Sequence, residues 1–289
     1  DGIRDIGVTG VQTCALPIWA SSENYKDPVG DYINPDQPNN PENAAQVEPR
    51  KPFKPTPPAF GFTPGANQKL EKLVKEANGD PQKLKELLKD TPIVFFDYET
   101  TGDGNFESDA AVIQIGAHIL LNGEIVGSFD QFINPGTPLG DYYYTTDENG
   151  QRVFKGSLKT KDGTVVDDAF LAQQISPEEA HSKFVDWIKS VTGKDLSEAI
   201  LSGHNAGNFD APILFNNLEG KVSPEEFGGV IDTLALAKSV RPGGKNSLEN
   251  LAKEYNLDLP QAHNASDDAK ATAQLFDVLD RKSTRLNSS

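Results

Sequence analysis

Two acidic residues one position apart, Asp97 and Glu99, are the first side chains in this sequence whose types and spacing suggest chemistry. They end an apolar, β-branched and aromatic run that begins at Ile93, which is typical of a buried strand. Because side chains alternate along a strand, both carboxylates point to the same face. Like charges placed side by side are costly unless a cation lies between them. The pair suggests a metal site, although a plain strand ending in the turn Thr100-Thr101-Gly102 fits this stretch equally well.

Two later stretches add two more carboxylates and a histidine. Asp210 lies where a loop enters a predicted helix, a position at which an aspartate also serves as an N-cap. His263 and Asp268 precede and open the last predicted helix. Residues five apart do not share a helix face, so we place His263 on the loop and Asp268 in the first turns. Acidic residues also favour helix N-termini for dipole reasons, which is the alternative for Asp268.

The elements that must position these residues form one predicted domain of mixed α/β class. Hairpins come first and strand–helix alternation follows, which predicts a mixed sheet flanked by helices. We expect strands at Ile93–Tyr98, Ala111–Leu121, Glu124–Ile133, Ala199–Ser202 and Gly229–Ile231. We expect helices at Asn67–Ala77, Pro81–Leu88, Pro177–Val191, Ala211–Asn217, Thr233–Ser239, Leu248–Tyr255 and Ser266–Leu279.

An insertion is predicted at residues 140–171, where Asn149-Gly150 and Asp162-Gly163 mark two turns. We interpret it as an inserted β-hairpin or flap. The insertion carries three consecutive aromatic residues, Tyr142 to Tyr144. These rings either stack on an unpaired base, as in single-strand binders, or pack on the sheet.

The predicted organisation has five parts. Residues 66–90 form a short helical pair and residues 91–279 the catalytic domain. Residues 19–65 are rich in Pro, Asn, Asp and Glu, so we expect a disordered tether, within which Lys51 to Phe62 is either linker or a docking peptide. Residues 1–18 and 280–289 are interpreted as sequencing-adapter read-through. Thr9 to Ile18 is the translation of the reverse complement of a DNA string that encodes Asp280 to Ser289.

Composition narrows the possible functions further. The chain has 289 residues, a net charge of −16 and no methionine, and we expect a fragment whose native N-terminus is missing. The single cysteine, Cys14, lies in the excluded end, so thiolate metal sites and disulfides are not expected elsewhere. The acidity argues against a general nucleic-acid coat, which would be basic. No signal peptide or membrane-spanning run is apparent in the sequence.

The motifs together resemble the DEDDh family of 3′–5′ exonucleases, which includes DNA polymerase proofreading subunits and RNase T, on an RNase H-like fold. The resemblance rests on Asp97-x-Glu99, on Asp210 after His204-Asn205 and Phe209, and on His263 followed by Asp268. It runs from about Ile93 to Phe276. Asp267 is a competing candidate for Asp268, but the family's five-residue spacing from the histidine favours Asp268. The sequence departs from the family in the Tyr-rich insertion and in its long second motif.

The resemblance implies roles for individual residues. Asp97, Glu99, Asp210 and Asp268 are expected to hold two Mg²⁺ or Mn²⁺ ions, which activate water and stabilise the leaving 3′-oxygen. His263 is expected to be the general base. Thr100, Thr101 and Gly102 are expected to grip the terminal nucleotide, with Thr101 at the 3′ end, and His204 or Asn205 to support the second motif. His118 and His181 are expected to be structural or surface residues.

The expected function is metal-dependent 3′–5′ exonuclease activity that releases nucleoside monophosphates from a single-stranded or frayed 3′ end. DNA proofreading or end trimming is the favoured role, with a DNA polymerase or replication complex as the expected partner and no membrane. The expected location is the cytoplasm of a bacterium or of a phage host. The alternatives are a 3′–5′ exoribonuclease and a non-catalytic RNase H-like binding module. The sequence does not decide between DNA and RNA.

Overall fold

The computed structural model describes residues 69–78, 80–102, 110–218 and 221–286. The predicted tether and the N-terminal read-through lie outside these ranges, as do residues 287–289. The helices are α1 (Lys69–Ala77), α2 (Pro81–Lys89), α3 (Asp168–Leu171), α4 (Pro177–Thr192), α5 (Asp210–Asn217), α6 (Thr233–Val240), α7 (Leu248–Tyr255) and α8 (Ala265–Leu286). The strands are β1 (Ile93–Thr100), β2 (Val112–Leu121), β3 (Glu124–Phe132), β4 (Tyr144–Thr146), β5 (Arg152–Phe154), β6 (Ile200–Gly203) and β7 (Val230–Asp232).

Five strands form one mixed sheet in the order β3-β2-β1-β6-β7. β1, β2 and β3 are antiparallel neighbours, whereas β6 pairs parallel to β1 and β7 pairs parallel to β6. The predicted α/β class with a mixed sheet is therefore confirmed, and element boundaries differ from the predicted ones mostly by one or two residues. The largest difference is α8, which continues seven residues beyond the predicted end at Leu279, into the segment interpreted as read-through. β1 continues through Glu99 and Thr100 and carries an irregularity in its pairing between them.

Helices cover both faces of the sheet, and β1 shows which side chains go where. Val94, Phe96 and Tyr98 belong to the large core on the face that α4 and α5 cover. Ile93 and Phe95 belong to the other core, together with Ala273 and Phe276 of α8. Because side chains alternate along a strand, Asp97 and Glu99 share the face of Phe95 and point towards α8.

The inserted segment 140–171 contains the predicted hairpin. β4 and β5 pair antiparallel from Tyr144–Phe154 to Thr146–Arg152, separate from the main sheet. Under the hairpin lies a small core of its own, which is formed by Ile113, Leu139, Tyr143, Leu158, Val166 and Leu171. Within the described part of the chain, no helix is long and apolar enough to span a bilayer.

Candidate active site

Asp97 and Glu99 lie on β1, the central strand of the five-stranded sheet. In β2, the residue opposite Asp97 is Gly116. A side chain at Gly116 would lie 2.1 Å from the backbone of Ala265 and Ser266. The missing side chain therefore lets the start of α8 lie directly on the sheet beside Asp97, which brings the third motif to the first.

Asp268 and His263 are joined by the turn that opens α8. The Asp268 carboxylate accepts a hydrogen bond from the backbone N–H of His263 at 2.9 Å. His263 precedes the helix, as the five-residue spacing predicts. Its backbone has a left-handed φ of 63°. The buried side chain of Asn264 caps the helix, accepting hydrogen bonds from the N–H groups of Ser266 and Asp267.

Asp210 is the most deeply buried of the four acidic residues, with 1 % of its surface exposed. It is the first residue of α5, and Phe209 occupies the N-cap position without a side-chain cap bond. The Asp210 carboxylate instead accepts a hydrogen bond at 3.0 Å from the backbone N–H of Tyr98, which lies between Asp97 and Glu99. The alternative of a simple N-cap therefore does not describe Asp210.

The carboxylates are close enough to share a cation. Ligand oxygens of Asp97, Glu99 and Asp268 all lie within 4.8 Å of one another. Asp210 borders the same cavity of about 210 Å³. Carboxylate oxygens are the ligands that Mg²⁺ and Mn²⁺ prefer, so this donor set fits the expected ions.

The electrostatics of the cluster match that fit. Burial, together with the charges of Asp210, Asp268 and Glu99, raises the pKa of Asp97 well above its usual value, and burial and Asp268 do the same for Glu99. Burial also raises the pKa of Asp210 to about 8 and that of Asp268 to about 7. Because these carboxyl groups are hard to ionise together, a bound cation would stabilise their charged forms.

The His263 side chain is exposed at the rim of the same cavity. Its ring centroid is 6.2 Å from that of Tyr142, in an edge-to-face arrangement. Its Nε2 lies 3.7 Å from a carboxylate oxygen of Glu249 on α7. His263 is therefore next to the acidic cluster and open to solvent, as a proton acceptor for water must be.

The predicted substrate residues fall into two groups. Thr100, Gly102, His204 and Asn205 line the cavity. Thr101 does not line the cavity, and its hydroxyl accepts a hydrogen bond from the N–H of Ala111. Its role at the 3′ end remains a prediction, and the geometry favours its neighbours.

Both ring nitrogens of His204 are engaged with the protein. One lies 3.0 Å from the Thr233 hydroxyl and the other 2.8 Å from the carbonyl oxygen of Asn246. These contacts anchor the His204 ring, and the role that the resemblance implies for His204 or Asn205 remains a prediction. Asp232, on β7, anchors the same loop, since its carboxylate accepts hydrogen bonds from the N–H groups of Asn205 and Gly207. Asp232 belongs to none of the three predicted motifs.

The remaining two histidines, His118 and His181, lie outside the cavity and contact other parts of the fold. The His118 ring contacts the Ser266 carbonyl and the Ser128 hydroxyl, and burial lowers its pKa. His181 is fully buried and stacks on Tyr98, with ring centroids 5.6 Å apart.

Comparison with known proteins identifies the class that this fold and site define. The model of the RNase T family, described as an exonuclease family, matches residues 94–276. The chain therefore belongs to the DEDDh-type 3′–5′ exonucleases, whose RNase H-like fold it has.

Two relatives and two solved structures illustrate the similarity. The chain is 31 % identical over 191 residues to the PolC-type DNA polymerase III of Staphylococcus aureus strain bovine RF122 / ET3-1, and 32 % identical to that of strain MW2. Each match covers 66 % of this chain but only 11 % of the polymerase. A structure of Exonuclease X with 5′ overhanging duplex DNA aligns at TM-score 0.42 and 21 % identity, over 68 % of this chain and 92 % of that one. Escherichia coli Exonuclease I with a dT13 oligonucleotide aligns at TM-score 0.48 and 16 % identity, over 68 % and 43 %.

Proposed function

We propose that this domain uses two divalent cations to hydrolyse the last phosphodiester bond at the 3′ end of a DNA strand, releasing a nucleoside monophosphate. The observation that carries the proposal is the convergence of acidic residues from three distant segments on one cavity. The relatives named DNA polymerase III PolC-type support a role in proofreading or end trimming beside a polymerase. The corresponding location is the cytoplasm of a bacterial cell.

The roles of the side chains follow from their positions. Asp97, Glu99 and Asp268 would hold one ion, because their oxygens converge, and Asp210 would hold the second with Asp97. Bound Mg²⁺ or Mn²⁺ supplies activation of the attacking water and neutralises charge on the phosphate. An imidazole nitrogen of His263, at the exposed rim, would accept the proton of the attacking water. Thr100, Gly102 and Asn205 line the space left for the terminal nucleotide.

The test of this proposal is the direction and product of cleavage. A single-stranded DNA oligomer is labelled at either end and incubated with the full chain and Mg²⁺. We expect immediate release of the 3′ label as a mononucleotide, progressive shortening of the 5′-labelled strand, and no cleavage with EDTA. Internal fragments, or immediate release of the 5′ label as a mononucleotide, would contradict the proposal. Faster degradation of a matched RNA oligomer would replace it with the exoribonuclease alternative.

A further inference from the structure

The inserted segment 140–171 forms one wall of the active-site cavity. The hydroxyl of Tyr143 donates a hydrogen bond at 2.7 Å to the carbonyl oxygen of Thr100, at the end of β1. The N–H of Gly140 donates to the carbonyl oxygen of Thr101 at 2.9 Å. A side chain at Gly140 would approach that oxygen to 2.4 Å, so glycine is needed for this close contact. The segment is thus fixed directly against the strand that carries Asp97 and Glu99.

The three consecutive tyrosines have different environments. Tyr143 is buried, with 3 % of its surface exposed. Tyr144 donates a hydrogen bond to Asp168, and the Arg152 guanidinium lies 3.4 Å from the centre of its ring. Tyr142 is partly exposed and lines the cavity beside His263. Tyr143 and Tyr144 therefore pack against the protein, which is one of the two predicted arrangements. The Tyr142 ring is accessible to a ligand.

The Tyr142 ring is held in place before any ligand arrives. Lys155 Nζ donates to the Tyr142 carbonyl oxygen at 2.5 Å and lies 5.1 Å from the ring centre. On the other side of the cavity rim, Gln261 and Asn264 donate to the carbonyl oxygens of Ser157 and Lys159. The residues on both sides of His263 are thus bonded to the insertion. A ring ordered in advance loses little entropy when it stacks on a partner.

One stretch of the insertion is cationic. Between positions 152 and 161 the sequence has Arg152, Lys155, Lys159 and Lys161 and no acidic residue, although residues 140–171 as a whole have six acidic side chains against these four basic ones. Arg152 and Lys161 are paired with Asp141 and Asp130, whereas Lys155 lies beside the Tyr142 ring. A cationic stretch with an exposed aromatic ring is the combination with which proteins bind single-stranded nucleic acid.

Resting on the proposed function, we propose that Tyr142 is the platform on which the unpaired base at the 3′ end of the strand stacks. Lys155 keeps the ring in position and adds positive charge beside the strand. The insertion therefore serves substrate binding, in addition to packing on β1.

The test compares two oligomers that differ only in the base at the 3′ end, which is present in one and abasic in the other. With the base present, Tyr142→Ala should raise KM about 5- to 100-fold, the range of base–aromatic stacking. Tyr142→Phe retains the ring and should behave like the wild type. Val153→Ala, at an exposed position of the same hairpin, is the matched surface control. On the abasic oligomer, Tyr142→Ala and wild type should be alike.

An equal loss on both oligomers would show that Tyr142 acts through His263 or through folding, and would overturn the proposal, as would no loss on either. Quenching of 2-aminopurine at the 3′ end is a second readout, measured with Ca²⁺ in place of Mg²⁺. Quenching by wild type and Tyr142→Phe, but not by Tyr142→Ala, supports stacking even if no mononucleotide is released. If the wild type released no mononucleotide, that result would count against the proposed exonuclease function and not against stacking on Tyr142.

Discussion

Asp210 and Asp268 combine two properties that rarely occur together, since they are removed from solvent and face other carboxylates. Burial is the main cause of their raised pKa values, about 8 and about 7, and neighbouring acidic residues add to it. The usual value for both is 3.8. In the metal-free protein these side chains therefore keep protons that the unfolded chain releases.

This retention predicts how the stability of the metal-free domain depends on pH. A raised acid pKa stabilises the fold fully below 3.8, and this stabilisation is lost as the pH rises through about 7 and about 8. One pKa unit corresponds to about 1.4 kcal/mol, and 1 kcal/mol to about 2–4 °C of Tm at this size. In EDTA, we expect a Tm at least about 5 °C lower at about pH 8.5 than at about pH 5.5. Thermal unfolding followed by circular dichroism measures it.

Added Mg²⁺ is the control for this prediction. It should restore the Tm at high pH and have little effect at low pH, where protons already neutralise the cluster. A Tm in EDTA that is flat or rises across the same range would contradict the account. Carboxyls with lowered pKa values, such as those of Glu178 and Glu198, titrate below this window. The pKa values of His118, His181 and His204 are lowered from 6.5 by burial, so these histidines oppose the fall below about pH 6.5 and not above it.

At the scale of elements, the contact between β2 and α8 sets the distance between Asp268 and Asp97. Gly116→Ala would place a methyl group 2.1 Å from the backbone at the start of α8. We expect α8 to be displaced, with a cost of about 1–3 kcal/mol and at least about a tenfold loss of kcat. Steady-state rates and denaturant unfolding measure the two effects.

Gly127→Ala, on the neighbouring strand β3, is the matched control. Its added methyl would lie 2.8 Å from Cγ1 of Val191, a side chain that can move. The atoms that this methyl would contact belong to no residue of the acidic cluster. It should lower stability modestly and leave kcat unchanged. If both variants had the same kcat as the wild type, Gly116 would not position the site.

Sequence patterns were sufficient to predict most elements. Continuous apolar runs predicted β1 and β2, and α4 and α7 begin at the predicted residues, where the side chains of Ser176 and Ser247 cap them. Long-range geometry was not predictable. The hydrogen bond from Tyr98 to Asp210 joins residues 112 positions apart. Tyr142 and Tyr143 both line the cavity, but only the structure shows that Tyr143 is buried and bonded to Thr100 while Tyr142 is partly exposed.

At the scale of the molecule, the core reaches from Leu70 on α1 to Leu279 on α8. Leu70 is fully buried against Ile200 and Ile231 of the sheet, so the helical pair contributes to the core of the domain. We expect a chain reduced to residues 66–279 to keep its Tm within about 2 °C and its exonuclease rate, because it retains every buried side chain of the described core. Calorimetry and the nucleotide-release assay check this.

A second truncation, to residues 91–279, removes Leu70 and should be less stable by at least about 2–5 kcal/mol, the cost of deleting one large core side chain. Loss of activity in the 66–279 chain would contradict the predicted outer limits, and equal stability of both chains would contradict a contribution of the helical pair to the core of the domain.

The most direct measurement of the central claim is the rate of 3′ mononucleotide release with saturating Mg²⁺ by wild type, Asp97→Asn and Asp267→Asn. Asp97 belongs to the convergent cluster, whereas Asp267 lies beside Asp268 without belonging to it. The account predicts that Asp97→Asn is folded and at least about 100-fold slower, because a cation ligand is lost, and that Asp267→Asn keeps most of the activity. Near-wild-type release by a folded Asp97→Asn would contradict it.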